Sequence, residues 1–162
     1  MDDLRALLDD ARSRLDGVPQ VRLGLGREAS RFRRAFGGRP VIEPVAPAWH
    51  LGVLLLGSAD LWAVGDVIRA AEEVRRGYTA DAQRVRASMR GMAFRGGFAE
   101  GETCHIDWEP VDVDAVSGGA DSGPLAWADG RLQVRWSKTG WLRPLDGYLD
   151  EQVGLATAPR AG

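Results

Sequence analysis

Trp49-His50-Leu51-Gly52-Val53-Leu54-Leu55-Leu56, then Gly57-Ser58-Ala59-Asp60, then Leu61-Trp62-Ala63-Val64-Gly65-Asp66-Val67-Ile68 is the stretch that decides the fold class. Two apolar runs of strand length flank a four-residue loop containing glycine, the pattern of an antiparallel hairpin. A second hairpin is expected where Leu125-Ala126-Trp127 leads through Ala128-Asp129-Gly130-Arg131 into Leu132–Ser137. The Asp-Gly pair fits a type I′ turn, which needs positive φ at both central residues. In its second strand Leu132, Val134 and Trp136 should face inward, and Arg131, Gln133, Arg135 and Ser137 outward. A lone strand is expected over 102–109, with Cys104, Ile106 and Trp108 on one face and Thr103, His105, Asp107 and Glu109 on the other.

Helices flank these strands. Leu4, Leu7, Leu8, Ala11 and Leu15 form one stripe of a helix over 2–16, with Asp2 and Asp3 at its positive end and Gly17 and Pro19 as stop signals. Val21, Leu23 and Leu25 alternate with Arg22 and Gly24 as a short strand would. Residues 26–47 hold Arg27, Arg31, Arg33, Arg34, Arg39 and three prolines, and read as irregular. A short helix over 69–76 would pair Glu72 with Arg76. Thr79 can cap another helix to about Ala93, with Val85, Met89 and Met92 inward, Arg84, Arg86 and Arg90 outward, and Gly96-Gly97 as its stop. Residues 112–123 read as a loop. Pro144 can start a last helix with Leu145, Tyr148, Leu149 and Val153 on its core side. The expected architecture is α+β: an antiparallel sheet of two hairpins plus a lone strand, packed on one side by amphipathic helices. Residues 1–157 are expected to form a single globular domain and 158–162 a frayed tail.

Composition narrows the classes of function. The 162 residues carry a net charge of −2, with 44% hydrophobic and 27% charged, as a globular chain does. No apolar run approaches the ~20 residues of a membrane span. The opening Met1-Asp2-Asp3-Leu4 is acidic rather than basic then apolar, so a signal peptide is not expected and the cytoplasm is the expected compartment. Every basic residue except Lys138 is Arg, Asn is absent, and Ile occurs only at Ile42, Ile68 and Ile106. Their joint bias is that of a G+C-rich genome, and with a negative net charge it argues against nucleic acid as the partner.

Gly24-Leu25-Gly26-Arg27-Glu28-Ala29 matches a dinucleotide fingerprint, with Glu43 near the ribose-binding spacing. The proline-rich segment and hairpin that follow do not make the crossover this site requires, so no cofactor is expected. Lys138-Thr139-Gly140 matches a triplet of serine β-lactamases and glutaminases, but no Ser here has Lys three positions later. One Cys and two His, without C-x-x-C or H-x-x-x-H spacing, imply no metal. Cys104 and His105 point to opposite faces of a strand, whereas Cys104 and His50 could form an acyl-transfer dyad if their strands were neighbours. Cys104 sits on an apolar face, where cysteine behaves as an inert hydrophobe. The polar face carrying His105, Asp107, Gln133 and Arg135 on adjacent strands is the candidate ligand site, if a helix covers part of it.

Trp49–Leu56, Gly65-Asp66-Val67, Arg95–Glu102, Ser122-Gly123-Pro124-Leu125 and Val134-Arg135-Trp136 together resemble a family of short bacterial proteins of unknown function, some of which carry the automatic label glutaminase. The resemblance spans about Trp49 to Leu155 and brings no catalytic residues with it. Two readings result. The first is a non-enzymatic protein acting by binding an unidentified protein or small-molecule partner; the second is a small amide hydrolase, glutaminase-like, for which only Cys104 offers a nucleophile.

Overall fold

A computed structural model describes residues 3–28, 34–35, 37–74, 77 and 80–160. Arg31, Arg33, Arg76, Ala29 and the Thr79 cap of the sequence reading lie outside the described residues, as does the end of the tail. The architecture is mixed α+β, and its contacts group into two compact units that share the chain in alternating segments.

The first unit comprises 1–20, 48–64 and 108–162. Its first helix, α1 (Leu4–Arg14), begins where the Asp3 carboxylate accepts from the Arg5 and Ala6 amides. Leu4, Leu8, Ala11 and Leu15 of the expected stripe are all buried. The hairpin that opens the sequence argument is present as β3 (Leu54–Leu56) and β4 (Leu61–Ala63), paired Leu54 with Ala63 and Leu56 with Leu61. Its flanking strands are shorter than the pattern implies. The run from Trp49 breaks at Gly52 (φ 64), so that Leu51 at the end of β2 (Val41–Leu51) pairs back onto Leu54. The buried Tyr148 hydroxyl fixes this break, accepting from the Val53 amide at 2.8 Å and donating to the Leu51 carbonyl at 3.2 Å. Tyr148 comes from the last helix, Leu145–Thr157, whose four expected core residues are buried.

A separate three-stranded antiparallel sheet completes the first unit: Leu125–Ala128, Arg131–Arg135 and Leu142–Pro144, the middle strand pairing with both others. Asp129 (φ 52) and Gly130 (φ 71) make the expected I′-type turn. The two hairpins therefore belong to different sheets, not one. Trp136 lies past the strand end and is 48% exposed, which corrects its inward assignment. The expected loop after Val111 contains a short helix, Val113–Ser117, because the Asp112 carboxylate accepts from the Ala115 amide.

The second unit comprises 21–47 and 65–107. It is built on β1 (Val21–Arg27), β2, β5 (Asp66–Arg69) and β6 (Thr103–Ile106), in the order β5-β6-β1-β2. β6 runs parallel to β1 and antiparallel to β5, so the expectation of a purely antiparallel sheet fails here. Residues 70–74 do not form the expected helix; the Glu72 amide donates instead to the Glu100 carboxylate. β2 contains Pro44 and Pro47, and its pairing with β3 begins beyond them, at Trp49.

α2 (Asp81–Gly96) ends at Gly97 (φ 117) and covers one face of this sheet. Its Met89 and Met92 pack on a core of Ile42, Ile68, Ala70, Ala93, Phe98, Cys104 and Ile106, while Val85 is 58% exposed, against expectation. Gly24 sits inside β1 because a Cβ there would lie 2.6 Å from both Cys104 Sγ and Ile42 Cγ2. The glycine pattern thus serves strand packing.

For Gly24→Ala, overpacking at those two contacts should cost about 1–3 kcal/mol. In a chain of this size each kcal/mol lowers the melting temperature by about 2–4 °C. Scanning calorimetry should therefore show a fall of at least about 2 °C, smaller when Cys104→Ala is combined with it. An unchanged melting temperature would refute this packing.

Candidate functional site

Each side chain singled out in the sequence has a definite place. Cys104 is fully buried in β6 against Gly24, Ile42 and Phe98. Burial pushes its thiol up to about 12 from an ordinary 9.0; nearby Glu102 adds to the rise and Arg22 opposes it. A thiol in that state supplies negligible thiolate at neutral pH. His50 lies at the far end of β2, where its strand pairs with β3, and its Nε2 donates to the Gly52 carbonyl at 2.9 Å. The strand of Cys104 pairs with β1 and β5, so the neighbouring-strand condition for a dyad is not met.

The expected polar face is also not formed. β6 pairs with β1 and β5, and the strand of Gln133 and Arg135 pairs with Leu125–Ala128 and Leu142–Pro144, in another sheet. His105 is wholly buried, flanked in register by Leu23 and Val67 on the face opposite Cys104. The alternation misleads because β6 is an interior strand covered on both sides, where a polar residue no longer marks the wet face. Asp107 (φ 54) is exposed and ends the strand, which also takes Trp108 out of it. Trp108 stacks edge-on against Trp62, with centroids 6.2 Å apart. Gln133 is half-buried and donates to the Ala128 carbonyl, while Arg135 is exposed.

Among the described residues, cavities of about 330 Å³ or more lie one in each unit. In the first unit a cleft of about 350 Å³ lies between α1 and residues 59–62 and 110–114. Both of its cations are already engaged: Arg5 pairs with Asp114, Arg12 pairs with Asp9 at 2.9 Å and donates to the Gly57 carbonyl, and Asp112 caps its helix.

The second unit has a cavity of about 330 Å³ lined by Val67, Ile68, Arg69, Arg86 and Arg90. Here β5 is an edge strand, and arginines from α2 cover its free carbonyls. Arg86 donates to Val67 O at 2.9 Å and Arg90 Nε to Arg69 O at 2.8 Å. Arg69 itself donates to Gly101 O at 3.3 Å. The i, i+4 spacing of Arg86 and Arg90 is legible as one wet helix face; their convergence on Arg69 depends on the strand running one residue past the expected Ile68. No group of three or more His, Cys, Asp or Glu among the described residues is placed to hold a metal. No helix among them is long and apolar enough to cross a membrane.

Compared with known proteins, the chain matches no family model, no curated protein and no solved structure.

The raised thiol pKa gives a pH signature. Above about pH 9 an unfolded chain ionises Cys104 while the folded chain does not, so this contribution to stability is complete below 9 and is lost toward 12. The stability difference between wild type and Cys104→Ala should therefore shrink by about 1.4 kcal/mol per pH unit above pH 9 in denaturant titrations. A difference independent of pH would mean that the thiol is solvated.

Proposed function

We propose that this protein acts by binding, to a protein or a small ligand, rather than by catalysis. The observation that carries this reading is the state of its one cysteine: Cys104 is fully buried, with its pKa pushed up to about 12. Acyl transfer by cysteine needs a solvent-reachable thiolate beside a base. Neither requirement is supported by β6, whose neighbours carry no histidine next to Cys104. The arginine-lined cavity of the second unit supports the binding reading, since it offers fixed donors without any nucleophile among its lining residues.

The competing reading is amide hydrolysis of the glutaminase kind, to which the resemblance of the Trp49–Leu155 region points. Ammonia release from glutamine decides between them. Purified wild type and Cys104→Ala should both release ammonia at the rate of the protein-free blank. Release by wild type that disappears in Cys104→Ala would overturn the binding reading in favour of a thiol mechanism. Equal release by both proteins would overturn it in favour of another nucleophile.

A further inference from the structure

Eleven of the arginines among the described residues have a carboxylate partner. Arg5, Arg12, Arg14, Arg22, Arg27, Arg39, Arg84, Arg86, Arg95, Arg131 and Arg143 each have an acidic oxygen within ion-pair distance. Arg69 and Arg90 have none among the described residues, and both line the same cavity of about 330 Å³. Arg86, the third cation there, has only a long contact of 3.7 Å to Asp66. Asp66 accepts from the Val67 amide through Oδ1 at 2.8 Å and faces Arg86 through Oδ2. Three guanidiniums therefore line one cavity, and Arg90 also borders a second pocket that carries Glu72, Glu73 and Glu100.

The guanidiniums are also oriented. A guanidinium carries five N–H donors in a rigid fork. Each of the three spends a donor on a main-chain carbonyl, Val67 O, Arg69 O or Gly101 O, which leaves others for a ligand. Ala71 N donates to Arg90 O at 3.2 Å, which ties the end of β5 to the same turn of α2 and fixes the spacing between Arg69 and Arg90. Capping an edge strand explains one bond each of Arg86 and Arg90 and leaves the remaining donors of both forks unassigned.

We infer that the cavity between β5 and α2 is a binding site for a small oxyanion of at least two negative charges, a phosphate ester or pyrophosphate. Arginine forks match the oxygens of phosphate bidentately. The volume sits at the lower end of the range of small-ligand sites, ample for a phosphoryl group and a modest organic portion. This inference deepens the binding reading and rests on it, and it names the chemistry of the ligand.

Titration calorimetry with pyrophosphate, glycerol phosphate, inorganic phosphate and citrate tests it on the whole chain. Pyrophosphate should bind saturably with one site per chain. Glycerol phosphate binding more tightly than inorganic phosphate would identify an ester, and the reverse order would identify the free anion. Arg90→Gln and Arg69→Gln should each weaken pyrophosphate binding by about tenfold, the scale of one charge-assisted hydrogen bond. Arg135→Gln, which removes an exposed arginine in the other unit, should leave it unchanged. Arg69→Gln keeps both arginine caps of β5, so a fold defect in Arg90→Gln would not mimic its result. Absence of saturable binding, equal weakening by all three variants, or tighter binding of citrate than of pyrophosphate would overturn the assignment. A null titration would reject this site alone, because the binding reading itself stands or falls on ammonia release.

Discussion

A thiol, an imidazole and a branched alkyl group can follow one another on a strand and all leave water only when both faces of that strand are covered. This holds for Cys104, His105 and Ile106 of β6. Its two edges are taken by β1 and β5, and Cys104 and Ile106 pack into the core that α2 closes. Glycine at position 24 is the local condition, since any side chain there would meet Cys104 Sγ and Ile42 Cγ2. All three isoleucines of the sequence, Ile42, Ile68 and Ile106, belong to this core. Sealing the strand decides the chemistry: desolvation holds the thiol neutral, and the face that would have displayed His105 is not available to solvent.

Polar groups around the sealed strand are organised to compensate for the edges it leaves. Arg22 donates from two nitrogens to Glu102 at 2.7 Å, with its guanidinium 5.0 Å from the centroid of Phe98. That hydrogen bond holds the Glu102 carboxyl below its ordinary range. Glu102 also accepts from the Ala99 amide, so one carboxylate links β1 to the turn entering β6. On the far edge, Arg86 and Arg90 occupy the free carbonyls of β5, which blunts the edge against pairing with another chain. Edge protection and the gathering of guanidiniums beside β5 are thus consequences of the same side chains.

The sequence is most informative where one face of an element is wet. The stripe of α1, the core side of the last helix and the Asp129-Gly130 turn all appear as expected, because each contrasts apolar with polar positions along a short span. It is least informative where burial is two-sided or depends on distant partners. His105 reads as solvent-facing from the alternation of 102–109, and only the covering of both faces of β6 makes it interior. Trp49–Leu56 reads as one strand, and the break at Gly52 depends on Tyr148, almost a hundred residues further along. Arg86 and Arg90 read as a wet helix face. Their meeting with Arg69 follows from β5 taking in Arg69, one residue past the strand the sequence implies. A parallel pairing such as β1 with β6 leaves no local turn signal, so sequence patterns cannot announce it.

Sealing of Cys104 is the claim on which the rest turns, and the reactivity of native protein toward a thiol reagent measures it most directly. With 5,5′-dithiobis(2-nitrobenzoate) in excess at neutral pH, the account predicts that labelling of Cys104 occurs only as fast as the structure opens. The rate should then fall as stability is raised and become independent of reagent concentration at high reagent. Denatured protein should react at once and with one thiol per chain. Rapid labelling of the native protein, first order in reagent and equal to that of the denatured chain, would contradict the account.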